Sequence, residues 1–358
     1  MSTGIIVHRL EGADLPRWDD YVLATPRAEN YHLAGWGRVI QASFGHGLYY
    51  LLAEEGGKVA GVLPLAQVRS RAFGNHLVSL PFFNYGGIIA EDEAAEKALF
   101  EAAVHLAEHL KADSLELRHS TALPWFAELP DGLAGGHPFT RRHKLAMRLV
   151  LPASAEELWD GFKSKLRSQI RKPLKEGCRI EIGGSELAGD FYRVFAENMR
   201  DLGTPVYSPR FFRNVLAEFP QAAKVAVVYH RGGAVAAGLV VGFRQDTLEI
   251  PWASSLRRGN HLSPNMLLYW GLLEHACRAG YRRFDFGRSS VESNTARFKA
   301  QWGASPEPLH WHGWSSRRSS GAGPSPDNPR FALAIRLWKR LPLAVANVLG
   351  PPLVKYIP

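Results

Sequence analysis

The stretch KVAVVYHRGGAVAAGLVVGFRQDTLEIPWASSL, residues 224–256, decides the fold. Its apolar runs KVAVVYH and AVAAGLVVGF flank Gly232-Gly233, and a Gly-Gly pair between such runs signals a hairpin. DTLEIPWASSL adds a strand that ends near Ser255. A helix follows from about Pro264 to Ala279, then YRRFDFG as another strand. The same order occurs upstream. YYLLAEE, Gly56-Gly57 and KVAGVLPLAQV form a hairpin, and LVSLPFFNYGGII a strand with a bend. Residues 92–112 form a helix with an apolar stripe at Leu99, Ala103, Leu106 and Leu110, and DSLELR closes the unit. Leu80-Pro81 and Ile250-Pro251 fall at matching points, and the offset is about 170 residues throughout. A fixed offset of domain size points to duplication.

Composition limits the function classes. The chain has 358 residues and a formal net charge of +9, which favours polyanionic partners: nucleic acid, phosphorylated substrates or an anionic membrane surface. Cys178 and Cys277 form no CxxC pair, against a disulfide framework or a structural zinc. The N-terminus lacks the pattern of a signal peptide, and no apolar run reaches transmembrane length, so the expected address is the cytoplasm. There is no P-loop, dinucleotide fingerprint or G-x-S-x-G elbow. His105, Glu108 and His109 match H-x-x-E-H, but both histidines fall off the apolar stripe and no third ligand is evident; no metal is expected. His310 and His312 alternate on a strand and are expected on its surface.

Four segments carry cations or carboxylates where chemistry can occur. Between the repeats, Ser154 and Glu157 open a helix as a capping box and Gly177 ends it. Lys163, Lys165, Arg167, Arg171, Lys172 and Lys175 crowd this helix; an anionic ligand would offset their repulsion, or they form a solvated face. In the loop LRRGNHLS, Arg257, Arg258 and Asn260 precede Ser263 as N-cap, Pro264 as first helical residue and Asn265. Free N–H groups and two cations there suit a phosphate or carboxylate, or the segment is an ordinary capped turn. In FDFGRSSVESNTARFKAQWGA, Asp285 serves as a base or orienting anchor, or pairs with Arg282 or Arg283; Gly287 breaks the strand, and Arg288, Ser289 and Lys299 are expected to hold phosphate. ENMRDLGTPVYSPRFF reads as a helix end, a turn and a new helix near Ser208-Pro209, with Arg200 and Tyr207 in the polar connection.

The remainder divides into a Gly/Ser/Pro-rich linker, residues 313–329, and a basic amphipathic tail, residues 330–358. Phe331, Ile335, Trp338 and Pro342 share one face of the tail, widened by Leu333, Leu337 and Leu341; Arg336, Lys339 and Arg340 form a narrow basic stripe. Such a tail docks on its own domain or lies on an anionic membrane.

The order hairpin, strand, helix, strand is the core of the N-acetyltransferase-like fold, and the residues suggest a family. FKSKLRSQIRKPLKEGCRIEIG and FDFGRSS…ARFKAQWGA resemble the linker and strand–loop–FK motifs of Fem-type peptidoglycan aminoacyltransferases. YHLAGW, SLPFFNYGGI, ENMRDLGTPVY, IPWASS and SPNMLLYW look closer still to the FemAB-related branch associated with exosortase (PEP-CTERM) and exopolysaccharide systems. The resemblance implies an α+β fold with two tandem N-acetyltransferase-like domains, each a mixed, mainly antiparallel sheet flanked by helices. The expected bounds are 1–152 and 153–312, with the site in the second. It implies acyl or aminoacyl transfer to an amine of a cell-envelope or exopolysaccharide-related acceptor, a phosphate-bearing glycan or peptide precursor. By that analogy Lys299 holds acceptor phosphate. The donor is aminoacyl-tRNA, whose acceptor end would be a partner, or acyl-coenzyme A; no cofactor is expected to be bound tightly. Backbone N–H groups near Trp252 to Ser254 are expected to stabilise the oxyanion, and Asp285, Glu249 or the substrate to take the amine proton. The alternatives are a coenzyme A-dependent N-acyltransferase and a noncatalytic scaffold held at the cytoplasmic face of the inner membrane by the tail.

Overall fold

The computed structural model describes residues 4–10, 12–317 and 332–357. In chain order the first half comprises β1 (Ile6–Arg9), α1 (Leu15–Ala24), α2 (Gly35–Phe44), β2 (Gly47–Leu48), β3 (Leu51–Glu55), β4 (Lys58–Leu63), β5 (Ala66–Ser70), β6 (Gly74–Val78), β7 (Ile89–Ala90), α3 (Glu93–His109), β8 (Ser114–His119) and β9 (His137–Arg141). Then come β10 (Lys144–Val150), α4 (Ala155–Gly161), α5 (Ser164–Lys175), β11 (Arg179–Gly183), α6 (Ala188–Leu202), α7 (Pro209–Glu218), β12 (Ala223–His230), β13 (Gly233–Phe243), β14 (Thr247–Ser255), α8 (Pro264–Arg278), β15 (Arg283–Ser290), α9 (Asn294–Ala300) and β16 (Ser305–Pro308). β17 (His310–Ser315), α10 (Ala332–Trp338) and α11 (Leu343–Val354) end the chain.

Two compact units result. Unit 1 holds residues 1–144, 308–324 and 355–358; unit 2 holds 145–307 and 325–354. Unit 1 contains the sheets β1-β3-β4-β7 and β2-β5-β6-β8-β17-β9. Unit 2 contains β11-β12-β13-β14-β15-β10-β16. β10 thus counts with unit 2 and β17 with unit 1, so each unit holds a strand that a linear division at 152/153 and 312/313 places wholly or partly elsewhere. Most of the linker and Phe331 lie outside the described residues.

Local chemistry explains the elements that position the site. Ser154 accepts from Glu157 N at 3.1 Å, as its capping pattern requires, but the linker forms two helices, α4 and α5, broken at Phe162-Lys163. α5 buries Leu166, Ile170 and Pro173 and turns its cations outward. α6 ends at Gly203, whose φ of 82° suits glycine, with Thr204 N bonded to Met199 O at 2.9 Å. Ser208 caps α7 behind Pro209. Leu267, Leu268 and Leu272 of α8 pack with Ile170 of α5 against Val240, Leu248 and Phe284 on one face of the sheet. His312 departs from expectation: it is 2% exposed, its ring 4.4 Å from Phe126 and 5.3 Å from His119, and burial lowers its pKa to about 4. The strand carrying it is interior to the unit 1 sheet, between β8 and β9, so its side chain meets the core.

Candidate active site

β14 is antiparallel to β13 along its length but parallel to β15 only from Thr247↔Arg283 to Glu249↔Asp285. Beyond that rung β14 continues to Ser255 and β15 to Ser290 without pairing to each other, which leaves a gap between them. The β13–β14 register slips between Leu239↔Trp252 and Val241↔Glu249, so Ile250 and Pro251 together oppose Val240. Proline has no N–H to give a ladder and is tolerated at such a bulge. The extra residue keeps Glu249, Trp252 and Ser254 on one face: Trp252 meets Phe211 and Phe212 of α7, and Ser254 accepts from Asn198 of α6 at 3.0 Å.

The hydrogen-bond phase identifies the donors facing the gap. Leu256 N donates to Val235 O at 2.9 Å, so that pair exchanges bonds, and alternation extends the same phase to Ser254↔Ala237 and Trp252↔Leu239. The N–H groups of Trp252 and Ser254 therefore serve β13, and those of Ala253 and Ser255 turn toward the gap. Of the donors expected near Trp252 to Ser254, the geometry selects Ala253 and adds Ser255.

Charged groups gather at the last rung. Asp285 is 1% exposed; Oδ2 accepts from Arg148 Nε at 2.9 Å and Oδ1 from Gly287 N at 2.7 Å. Its partner is thus Arg148 on β10, not Arg282 or Arg283; Arg283 pairs with Asp246. Glu249 is buried beside it on β14. Gly287 has φ 70° and kinks β15 without ending it. The kink presents two carbonyls to α9: Lys299 Nζ donates to Gly287 O at 3.0 Å and Arg288 O at 2.8 Å. Burial lowers the Lys299 pKa to about 8 against the opposing pull of Asp285 and Glu249. Ser289 is buried and its Oγ meets no partner among the described residues, whereas Arg288 is exposed.

The other expected residues lie apart from that cluster. Arg257 donates to Asp201 O at 2.9 Å and Arg258 pairs with Glu197, so both cations of the loop are fastened to α6. Ser263 does not cap α8: its φ is 57° and its N–H closes a turn on Asn260 O, so no side-chain bond reaches the helix. Asn260 is exposed and Asn265 half-buried. Arg200 binds Asp201 at 2.7 Å and Leu341 O at 3.0 Å. Tyr207 packs its ring 5.1 Å from Phe211, and its carbonyl accepts from Tyr192. Lys165, Arg167 and Arg171 sit on α5, on the opposite face of the sheet. Arg171 lies over Trp159 at 5.1 Å and Arg167 is 4.0 Å from Asp160, while Lys163 and Lys165 line an open groove of about 850 Å³ with Phe162 and Trp302. Arg148 was missed in the sequence; its signal is a lone cation within the apolar strand LAMRLVL.

Unit 1 has the matching parting of strands, but it is filled. β6 and β8 pair in parallel up to Val78↔Glu116. Residues 80–88 then fold back: Gly87 N donates to Arg118 O and Ile88 N to His119 Nε2, each at 2.9 Å. Leu80 and Phe82 take φ of 57° and 77° to make the turn, and Phe83 and Tyr85 bury beside Tyr31. Valine at 78 stands where unit 2 has Glu249.

Among the described residues no group of His, Cys, Asp and Glu is placed to hold a metal, and no helix is long and apolar enough to cross a membrane.

Residues 161–300 match the acetyltransferase (GNAT) domain family. No curated protein sequence matches the chain significantly. Among solved structures, FemX superposes with a TM-score of 0.63 at 14% identity over 86% of this chain and 96% of its own. A tandem GNAT protein from the clavulanic acid biosynthesis pathway gives 0.57 at 15% identity over 88% and 100%. L-PGS from Bacillus licheniformis gives 0.54 at 13% identity over 93% and 99%. At these identities the likeness establishes fold. The chain is an α+β protein with the fold of tandem GNAT-like domains, and residues 161–300 are the part similar to the acetyltransferase (GNAT) domain family.

Proposed function

We propose that unit 2 transfers an acyl or aminoacyl group to an amine. The observation that carries this reading is the parting of β14 and β15 beyond Glu249 and Asp285, with the N–H groups of Ala253 and Ser255 turned into the gap. The donor carbonyl lies along β14; the amine attacks its carbon, the oxyanion accepts from Ala253 and Ser255, and the bond to the leaving group breaks, releasing the coenzyme A thiolate or the tRNA ribose oxygen, which takes up the proton that the amine has lost. We assign the amine proton to Glu249. Asp285 already accepts from the Arg148 guanidinium and the Gly287 N–H, so we give it the role of holding Arg148 and the kink of β15 in place.

Lys299 spends two donors on Gly287 and Arg288, and an ammonium has a third, which we assign to a phosphate of the acceptor. Likeness of the FKAQWGA and linker motifs to Fem-type sequences favours a phosphate-bearing acceptor used in cell-envelope or exopolysaccharide assembly. Because Lys299 loses its charge as pH rises through about 8, the acceptor KM should rise across that interval. The test offers the full chain labelled acyl-coenzyme A in one arm and labelled aminoacyl-tRNA in the other, with a cell-envelope precursor fraction as acceptor. Transfer from one donor, reduced about 100-fold or more in Lys299→Met, is expected. Undiminished transfer by Lys299→Met contradicts the assignment of that residue, and no transfer from either donor contradicts the reaction.

A further inference from the structure

The inner face of α11 is fixed. Ala346, Gly350 and Val354 are buried, and a Cβ on Gly350 would lie 2.8 Å from Val206 N, so the helix backbone rests on the connection between α6 and α7. Its outer face is Ala344, Val345, Val348, Leu349, Pro352 and Leu353, all exposed and all apolar, with Val348 at 72%. α10 repeats the arrangement: Ile335 and Trp338 are half-buried, while Leu333 and Leu337 are 65% and 57% exposed. Scattered exposed apolar side chains are ordinary, but a continuous exposed apolar face on a helix whose one polar side chain, Asn347, is half-buried marks a surface that meets a partner or lipid.

Charge selects between occupants. Arg336, Lys339 and Arg340 are exposed on α10 and the turn after it, and no Asp or Glu occurs from Asn328 to the C-terminus. A second copy meeting through this face by two-fold symmetry would set the cations against themselves. An anionic bilayer supplies hydrocarbon for the stripe and opposite charge for the rim.

We infer that α10 and α11 form a membrane-docking surface that lies on anionic phospholipid without crossing the bilayer. The surface is coupled to the gap through the last turn of α6. Arg200 there holds Leu341 O at 3.0 Å, Asn198 holds Ser254, and Asp201 O accepts from Arg257. Docking therefore brings the candidate site of unit 2 to the lipid surface; this extension to the acceptor rests on the transfer reaction proposed above, whereas docking itself does not.

The test is co-sedimentation of the full chain with phosphatidylcholine vesicles, with and without about one-third phosphatidylglycerol, alongside light scattering. Binding to the anionic vesicles, weakened by salt, is expected. Val348→Glu combined with Leu349→Glu should abolish it at unchanged thermal stability, because both side chains are exposed. Arg336→Gln and Arg340→Gln should each weaken it about fivefold. Wild-type protein left in the supernatant with both vesicles, or a Val348→Glu/Leu349→Glu variant that binds as well as wild type, overturns the inference. So does a dimer that the same variant disperses while vesicles bind neither form, which assigns the face to a second copy.

Discussion

The two units part their central strands at the same point and use the opening differently. In unit 2 the ladder between β14 and β15 stops at Glu249↔Asp285, and the N–H groups of Ala253 and Ser255 face the gap. In unit 1 the ladder between β6 and β8 stops at Val78↔Glu116, and residues 80–88 fill the space with Phe83, Tyr85 and two main-chain donors. Both units keep a carboxylate gripped by arginine at the rung: buried Asp285 by Arg148 in unit 2, half-buried Glu116 by Arg118 and Arg141 in unit 1. The ion pair is therefore common to both units, and the open gap is particular to unit 2. The carboxylate that the duplication does not explain is Glu249, which supports giving it the proton.

This contrast can be broken at several places. Asp285→Asn removes the buried partner of Arg148, which keeps Glu307 at 3.1 Å, and should cost unit 2 about 1.5–3 kcal/mol in chemical denaturation; a change below about 1 kcal/mol would mean that the pair does not hold the rung. Gly87→Val drives a side chain into the His119 ring and should destabilise unit 1 by about 1–3 kcal/mol. The same variant should leave the KM and kcat of transfer in the surviving native protein unchanged, and a selective loss of kcat would place chemistry in unit 1 as well. The smallest effect is expected from Arg258→Ala. Its pair with Glu197 is 63% exposed on the arginine side, so stability should move by less than about 1 kcal/mol. A large loss of donor affinity in that variant would return the loop to the role of a phosphate site.

The tandem architecture was legible because hairpins, helices and the two Leu/Ile-Pro landmarks are local patterns with fixed spacing. α3 lies where its apolar stripe placed it, and α8 begins at Pro264 as the strand–loop–helix order implied. The site was legible in part. Asp285, Glu249 and Lys299 do assemble, since Glu249 and Asp285 share a rung and α9 follows β15 directly. Arg148 was not, because its partner is distant in sequence and nothing periodic connects β10 to β15. Arg257 and Arg258 look like ligand cations in one dimension, yet Glu197 and the Asp201 carbonyl lie on a helix whose approach no local pattern encodes. Likewise, FFNYGG reads as a bend, and only the fold shows that the bend fills a gap.

Residue-resolved amide hydrogen exchange on the ligand-free protein tests the central claim most directly. Trp252 and Ser254, bonded to β13, and Gly87 and Ile88, which fill unit 1, should be protected. Ala253 and Ser255 should exchange about 100-fold faster or more, as amides outside the ladder do. Equal protection of Ala253 and Ser255 with their neighbours would mean that the gap of unit 2 is closed, and would contradict the account.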